Sequence, residues 1–420
     1  MDGDSSVGSA ARPQFDFDIY LDARLADDLH GGFKSLHADA PDIFWTPHNA
    51  GHWVVTRHDL ISQIMRDSVH FSNAQMNIPK TETPYVMIPL NLDPPDHTQY
   101  RAVLVRYFSP SVVNGMDVTL RAWANKLIDK VIDAGACDFV DALGAAYPVS
   151  IFMEMMGLPM ARFDEFRKVV VEFFSNITNE RRVDLQAWMF AEMEALIRAR
   201  STERRDDLIS RLLDEQVRGR SLTLEELKSI CFLLFIAGLD TVANMMSFAQ
   251  YHLASDPDLQ ERLIKEPGRI PDFVEEALRC YGIVNGTRIV KKDVELAGVQ
   301  FKEGDMVACS LPLAGMDERR NADPMRFDID RTDRRHLTFS IGPHVCVGHY
   351  LARAEMKVFT EEWLKRVPRM HIAPRFKPQF RAGLVMALNH LPLEWPTGPS
   401  PAAAGWLCAG PVHRVYSQPA

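Results

Sequence analysis

Hydrophobic positions along the chain recur mostly at helical spacing. Runs over Val112–Ala134, Tyr147–Met156, Leu185–Arg200, Leu224–Ala254, Ile270–Cys280 and Gly348–Arg366 each predict a helix. Thr223, followed by Glu225 and Glu226, is a good helix start, because acids in a first turn meet the positive end of the helix dipole. Strand-like alternation is confined to short pieces. Trp53–Thr56 follows an asparagine- and glycine-containing turn region. Val294–Leu296 and Val299–Phe301 flank Gly298 as a hairpin, and Gly304–Asp305 turns the chain again. The pattern predicts a mainly α chain with small β-sheets. Regular strand–helix alternation and a G-x-G-x-x-G motif are both missing, so no dinucleotide-binding unit is expected.

No long linker or repeat divides the 420 residues. One domain is expected over 15–397, with a disordered lead at 1–14 and a loosely structured Pro-, Ala- and Gly-rich tail at 398–420. The length, with 46% hydrophobic residues, allows a core large enough to enclose a cofactor. A net charge of −9 argues against a surface built to cover nucleic acid. Six cysteines without a C-x-x-C pair read as reduced, cytoplasmic usage. The first residues are polar and lack an apolar signal core. The most apolar run, Ile230 to Leu239, falls short of the ~20 residues that span a bilayer. The reading is a cytoplasmic protein that binds neither nucleic acid nor membrane.

The chemistry concentrates in FSIGPHVCVGHYLAR, Phe339 to Arg353. On residue type alone, Cys346 has three readings. It is a buried structural cysteine, a zinc ligand with His344 and His349, or a thiolate ligand to haem iron. The zinc set lacks a second close cysteine pair and an evident fourth ligand. The haem reading explains more of the loop. Gly342 and Gly348 let backbone approach a flat macrocycle. Free N–H groups at the following helix start can bond the sulfur and keep it ionised.

This loop resembles the haem-binding loop of the cytochrome P450 family, F-G-x-G-x-H-x-C-x-G followed by L-A-R. Ser340 stands where the family has glycine. The resemblance implies a P450 fold in a single domain, haem b (iron protoporphyrin IX), and Cys346 as axial metal ligand. It extends to other stretches. Glu276-Ala277-Leu278-Arg279 is similar to the family's buried E-x-x-R pair, and Arg331, after Asn321-Ala322-Asp323-Pro324, is similar to its third member. Alone, an E-x-x-R is more often a solvated helix face. Asp93-Pro94-Pro95-Asp96-His97-Thr98-Gln99-Tyr100-Arg101 resembles the segment whose histidine and arginine hold haem propionates; Arg288 and His344 match the remaining propionate partners.

Ala237-Gly238-Leu239-Asp240-Thr241 lies inside an apolar helix, where an Asp–Thr pair is costly unless used. Gly238 weakens the helix by about 1 kcal/mol relative to alanine. The Thr241 hydroxyl can bond the Ala237 carbonyl and bend the helix. These residues resemble the family's A-G-x-D-T motif, which implies catalytic roles for Asp240 and Thr241. Neighbours on a helix diverge by about 100°. The expected division is that Thr241 faces the reacting oxygen and Asp240 links it to protons outside.

Overall similarity is greatest to the soluble bacterial camphor hydroxylases and their relatives acting on terpenoids and norisoprenoids. The matching stretches are AGLDTVANMMSFAQYHLA, GDMVACSLPLAGMDERRNADPM and YVMIPLNLDPPDHTQYR. By this resemblance Tyr85 bonds a substrate ketone, and Leu233, Val284 and Val385 are apolar pocket walls. The expected reaction is O2-dependent hydroxylation of a small terpenoid or norisoprenoid ketone. Electrons are expected from a 2Fe-2S ferredoxin with a flavin-containing, NADH-using reductase, since the chain carries no flavin or nicotinamide motif. The basic stretch Arg331–Arg353, with four arginines, three histidines and only Asp333 against them, suits an acidic ferredoxin. Alternatives are, within the same fold, a fatty-acid or aromatic substrate or a peroxide-using enzyme, and, from a different class, a haem sensor without turnover.

Overall fold

Thr223 and Glu226 start the organising element. The Thr223 hydroxyl accepts from the Glu226 N–H at 3.2 Å, and the Glu226 carboxylate accepts from the Thr223 N–H at 2.8 Å. The helix then runs unbroken over Leu224–Ser255. It is apolar on nearly every side and mostly buried, which makes it a core post. This computed structural model describes residues 12–81, 86–173 and 178–397.

In chain order the framing helices are α1 (Asp96–Tyr107), α2 (Asp117–Ile128), α3 (Ala146–Met156), α4 (Asn179–Thr202), α5 (Leu224–Ser255), α6 (Ile270–Cys280) and α7 (His349–Arg366). Aromatic side chains lock them together. Tyr147 of α3 meets Phe359 of α7 at 5.3 Å between ring centres, and Phe152 of α3 meets Phe235 of α5 at 5.5 Å. Burying each such ring contributes about 1.5–3 kcal/mol.

One mixed sheet stands beside the helices. Its strands are β1 (Ile43–Thr46), β2 (His52–Val55), β3 (Phe71–Ser72), β4 (Asn285–Val290) and β5 (Met306–Ser310), in the order β1-β2-β5-β4-β3. β2 and β5 are parallel, with Val307 opposite Trp53; the other pairs are antiparallel. Val294–Leu296 and Val299–Phe301 pair as the expected hairpin. A further hairpin, β6 (Phe380–Arg381) with β7 (Ala387–Leu388), leans on α5 through Phe380, stacked 6.2 Å from Phe248.

Three expectations change. The helix expected over Val112–Ala134 is broken into Pro110–Gly115, α2 and a short turn at Ile132–Ala134. Gly115 favours the break, and Asp117 restarts the helix with an acid in its first turn. α4 begins before Leu185, because the Thr178 hydroxyl caps the Arg181 N–H at 3.2 Å. Residues 12–14, expected in the loose lead, join the sheet edge instead: the Trp45 N–H donates to the Pro13 carbonyl at 2.7 Å. Residues 1–11 and the tail at 398–420 lie outside the described residues.

Candidate active site

The loop before α7 is closed by its own backbone. The Ser340 N–H donates to the Leu337 carbonyl at 2.7 Å, and the Cys346 N–H to the Phe339 carbonyl at 2.8 Å. Gly342 has φ +79°, and a Cβ there would stand 2.9 Å from the Met65 carbonyl oxygen. Only glycine fits. Ser340 has φ +61°, so the departure from the family's glycine falls on a left-handed position.

Cys346 is surface-accessible, yet its thiol is so hemmed in by protein that desolvation is the largest influence on it. The two facts agree if the thiol faces an internal cavity. Burial raises the Cys346 pKa; the Gly348 N–H, Arg101 and Arg353 pull the other way. Among the described residues, the one His/Cys/acid trio with converging ligand atoms is His37–Asp317–Glu318, which is interlaced with Lys34 and Arg57. Cys346 belongs to no such trio, so the geometry gives no support to the zinc reading.

α1 and β4 bring cations and donors to one place. The His97 and His344 rings lie 4.1 Å apart between centres, within the field of Arg101 and Asp93. Burial lowers their pKa values to about 4 and about 3, so both are neutral at pH 7. Neither His97 Nδ1 nor His344 Nε2 has a hydrogen-bond partner. Arg288 is buried and donates to Asn73 Oδ1 at 2.5 Å and the Thr287 carbonyl at 2.7 Å. Arg101 donates to the Val345 carbonyl beside the cysteine. Asp93 is the acid that His97, Arg288 and His344 feel, and it is already engaged by Lys291 at 3.0 Å. Two sheltered guanidiniums call for anions, and each neutral imidazole has one ring nitrogen left to hydrogen-bond with them. Their chemistry fits the two propionates of a haem.

In the middle of α5 the Thr241 hydroxyl donates to the Ala237 carbonyl at 2.9 Å, as expected. Ala237 is exposed within this otherwise buried stretch, and a Cβ added to Gly238 would meet nothing within 4 Å. The helix therefore borders open space here. Asp240 is 16% exposed and receives Arg381 of β6 at 3.2 Å. Burial raises its pKa, opposed by Arg381. Nothing in the sequence pointed to Arg381; it is a lone arginine in a short hairpin.

Of the expected pocket residues, Val284 and Val385 pair directly as an antiparallel bridge. Leu233 is buried on α5. Tyr85 lies outside the described residues. The carbonyl of the neighbouring Val86 accepts from Ser229, one turn before Leu233.

Glu276 and Arg279 form a bidentate pair at 2.9 and 2.7 Å with neither side chain exposed. Arg279 also donates to the Gly315 and Pro324 carbonyls, and Arg331 reaches Glu276 at 3.3 Å. The three expected structural residues are thus together. The basic stretch is a different matter. Arg353 pairs with Glu275, Arg334 with Asp272 at 3.3 Å, and Arg335 with Asp333 at 2.9 Å. With Arg331 on Glu276, its arginines are answered internally, so the stretch is not the unbalanced docking island expected from the sequence.

The mainly helical fold and the donors around Cys346 fit a protein that would hold haem through a thiolate. A sequence profile of the family Cytochrome P450 matches residues 139–367. Over 375 residues the chain is 33% identical to a probable cytochrome P450 127A1 of Sinorhizobium fredii, covering 88% of this chain and 90% of that protein. It is 30% identical to the mycinamicin IV hydroxylase/epoxidase of Micromonospora griseorubida, over 83% of this chain and 91% of that one. The solved structure of CYP101J2 matches with a TM-score of 0.86 at 35% identity, and that of CYP101C1 with 0.86 at 31%. Each comparison covers 92% of this chain and 98% of the other. The chain belongs to the cytochrome P450 family. It is an oxidoreductase of the monooxygenase class, binding haem b and using O2 with electrons from a redox partner.

Proposed function

We propose that this P450 hydroxylates a small apolar terpenoid or norisoprenoid ketone. The observation that carries the hydroxylase reading is the acid–alcohol pair on α5, with Thr241 turned onto the Ala237 carbonyl beside open space and Asp240 half-buried next to it; the substrate class rests on the sequence resemblance alone. Haem held by Cys346 supplies the O2 chemistry that breaks an unactivated C–H bond. His97, Arg101, Arg288 and His344 would hold its propionates. Glu276, Arg279 and Arg331 fix the loops behind it.

The remaining steps belong to the chain. Thr241 Oγ1 positions a proton at the open side of α5. Asp240 takes protons from outside and passes them toward that hydroxyl. Val284, Val385 and Leu233 present apolar walls that exclude water and orient the substrate. Tyr85 is assigned the hydrogen bond to the ketone by its sequence position. The source of electrons is proposed as a 2Fe-2S ferredoxin with an NADH-using flavin reductase, in the cytoplasm. Supporting this are the absence of a flavin or nicotinamide motif and the similarity to the CYP101 structures.

Titration with a panel of terpenoid and norisoprenoid ketones, read as the low-to-high-spin change of the haem spectrum, tests the substrate class. Binders should yield monohydroxylated product with ferredoxin, reductase and NADH, and Tyr85→Phe should weaken them. Fatty acids or aromatics binding in place of every ketone would overturn the reading.

A further inference from the structure

Asp240 and Arg381 are 141 residues apart in sequence and meet as an ion pair. At 34% exposure for the arginine, the contact is partly shielded from solvent. The strand that carries Arg381 is itself anchored. Phe380 stacks on Phe248 of α5, and Arg381 stands opposite Ala387. Beyond Arg381 the hairpin tip is tied to the start of β4. The Asn285 N–H donates to the Leu384 carbonyl at 2.9 Å, its side chain to the Gly383 carbonyl at 2.8 Å, and the Met386 N–H to the Ile283 carbonyl at 2.8 Å. Gly383 has φ +115°, and a Cβ there would stand 2.6 Å from the Tyr20 ring. The tip is held on two sides, and Val385 sits within it against Val284.

We infer that Arg381 is a positioning residue for proton delivery: it orients the Asp240 carboxylate and keeps it charged, from a hairpin that also forms a pocket wall. This rests on reading Asp240 as the proton carrier. The groups facing the acid are few among the described residues. Arg381 approaches from β6 and favours the carboxylate; Asn244 of α5 lies nearby, its amide nitrogen without a hydrogen-bond partner. Arg182 of α4 presents like charge toward Arg381, with Tyr20 beside Arg182. Burial by itself pushes the Asp240 carboxyl toward its protonated form, which can hold a proton but not accept one. The guanidinium opposes that and restricts the carboxylate to one orientation.

The test is an infrared pH titration of the haem-loaded protein, following the carboxyl band that is missing from Asp240→Asn. In Arg381→Gln the midpoint of that band should rise by about one pH unit. Arg381→Lys, which restores a cation at shorter reach, should rise by about half as much or less. A midpoint in Arg381→Gln within about 0.2 pH unit of wild type overturns the inference. Should Arg381→Gln fail to take up haem, Arg381→Met is titrated instead, with the same rise expected and no rise overturning it. Asp240→Asn separately reports on the underlying reading. If it turns over O2 with ferredoxin and NADH as fast as wild type, the carrier role falls and the inference with it. If it is slow while the band does not move in the Arg381 variants, only the inference about Arg381 falls.

Discussion

The Thr241 hydroxyl donates to the Ala237 carbonyl, four residues back in the middle of a 32-residue helix. That bond occupies an acceptor which an undistorted helix gives to the backbone alone, and it sits where α5 borders open space. Thr241→Ala removes the hydroxyl without disturbing the cap or the packed faces. Reducing equivalents should then emerge as hydrogen peroxide, with product per NADH falling by about tenfold or more. Parallel assays of NADH, peroxide and product check this; unchanged coupling would show the hydroxyl is dispensable.

The Glu276–Arg279 pair makes a prediction about stability. Glu276→Gln leaves the Arg279 charge buried with carbonyls alone to answer it. Breaking a buried pair from one side costs about 3–5 kcal/mol. Denaturant unfolding should show a loss of that size, and a loss below about 1 kcal/mol would contradict the account. Burial by itself would raise the Glu276 pKa, but the hydrogen bonds and charge of Arg279, with the Asp328 N–H and Arg331, leave it lowered. The pair's contribution is therefore present above the ordinary carboxylate range and fades as pH falls through the depressed folded value. The Glu276→Gln deficit should shrink correspondingly at acid pH.

Glu355 on α7 behaves in the opposite sense. It is fully buried, its Oε2 has no partner, and burial raises its pKa to about 8. The folded protein binds this proton more tightly than the unfolded chain does. Stability is therefore lost as pH rises from the ordinary glutamate value to about 8. Glu355→Gln should be more stable than wild type at neutral pH, with an advantage that grows from pH 5 to pH 8. Thermal melts across that range check it, and a constant difference would contradict it.

Ser340 holds φ +61° where glycine would be relaxed. A non-glycine residue in this region stores about 1 kcal/mol or more of strain. Glycine gives part of that back through a more flexible unfolded chain. Ser340→Gly should raise stability by up to about 1 kcal/mol and leave the haem spectrum unchanged. A destabilised variant would mean that the serine makes a contact of greater value.

What the sequence made legible was local. The Thr223 cap, the α6 register of Glu276 and Arg279, and the glycine-punctuated loop around Cys346 depend on residues close in the chain. What it hid was pairing across distance. Arg381 carries no motif, so its place beside Asp240 had no signal. The basic stretch misled for the same reason: charges are visible in a sequence, but the Glu275 and Asp272 that answer Arg353 and Arg334 come from another helix. The break at Gly115 was missed because the apolar periodicity continues through it.

The account depends most on the sulfur of Cys346 reaching iron. Purified protein, reduced and exposed to carbon monoxide, should show the strongly red-shifted Soret band that a thiolate ligand gives, and Cys346→Ala should lose it. A red-shifted band that survives in Cys346→Ala, or its absence from correctly loaded wild-type protein, would contradict the assignment.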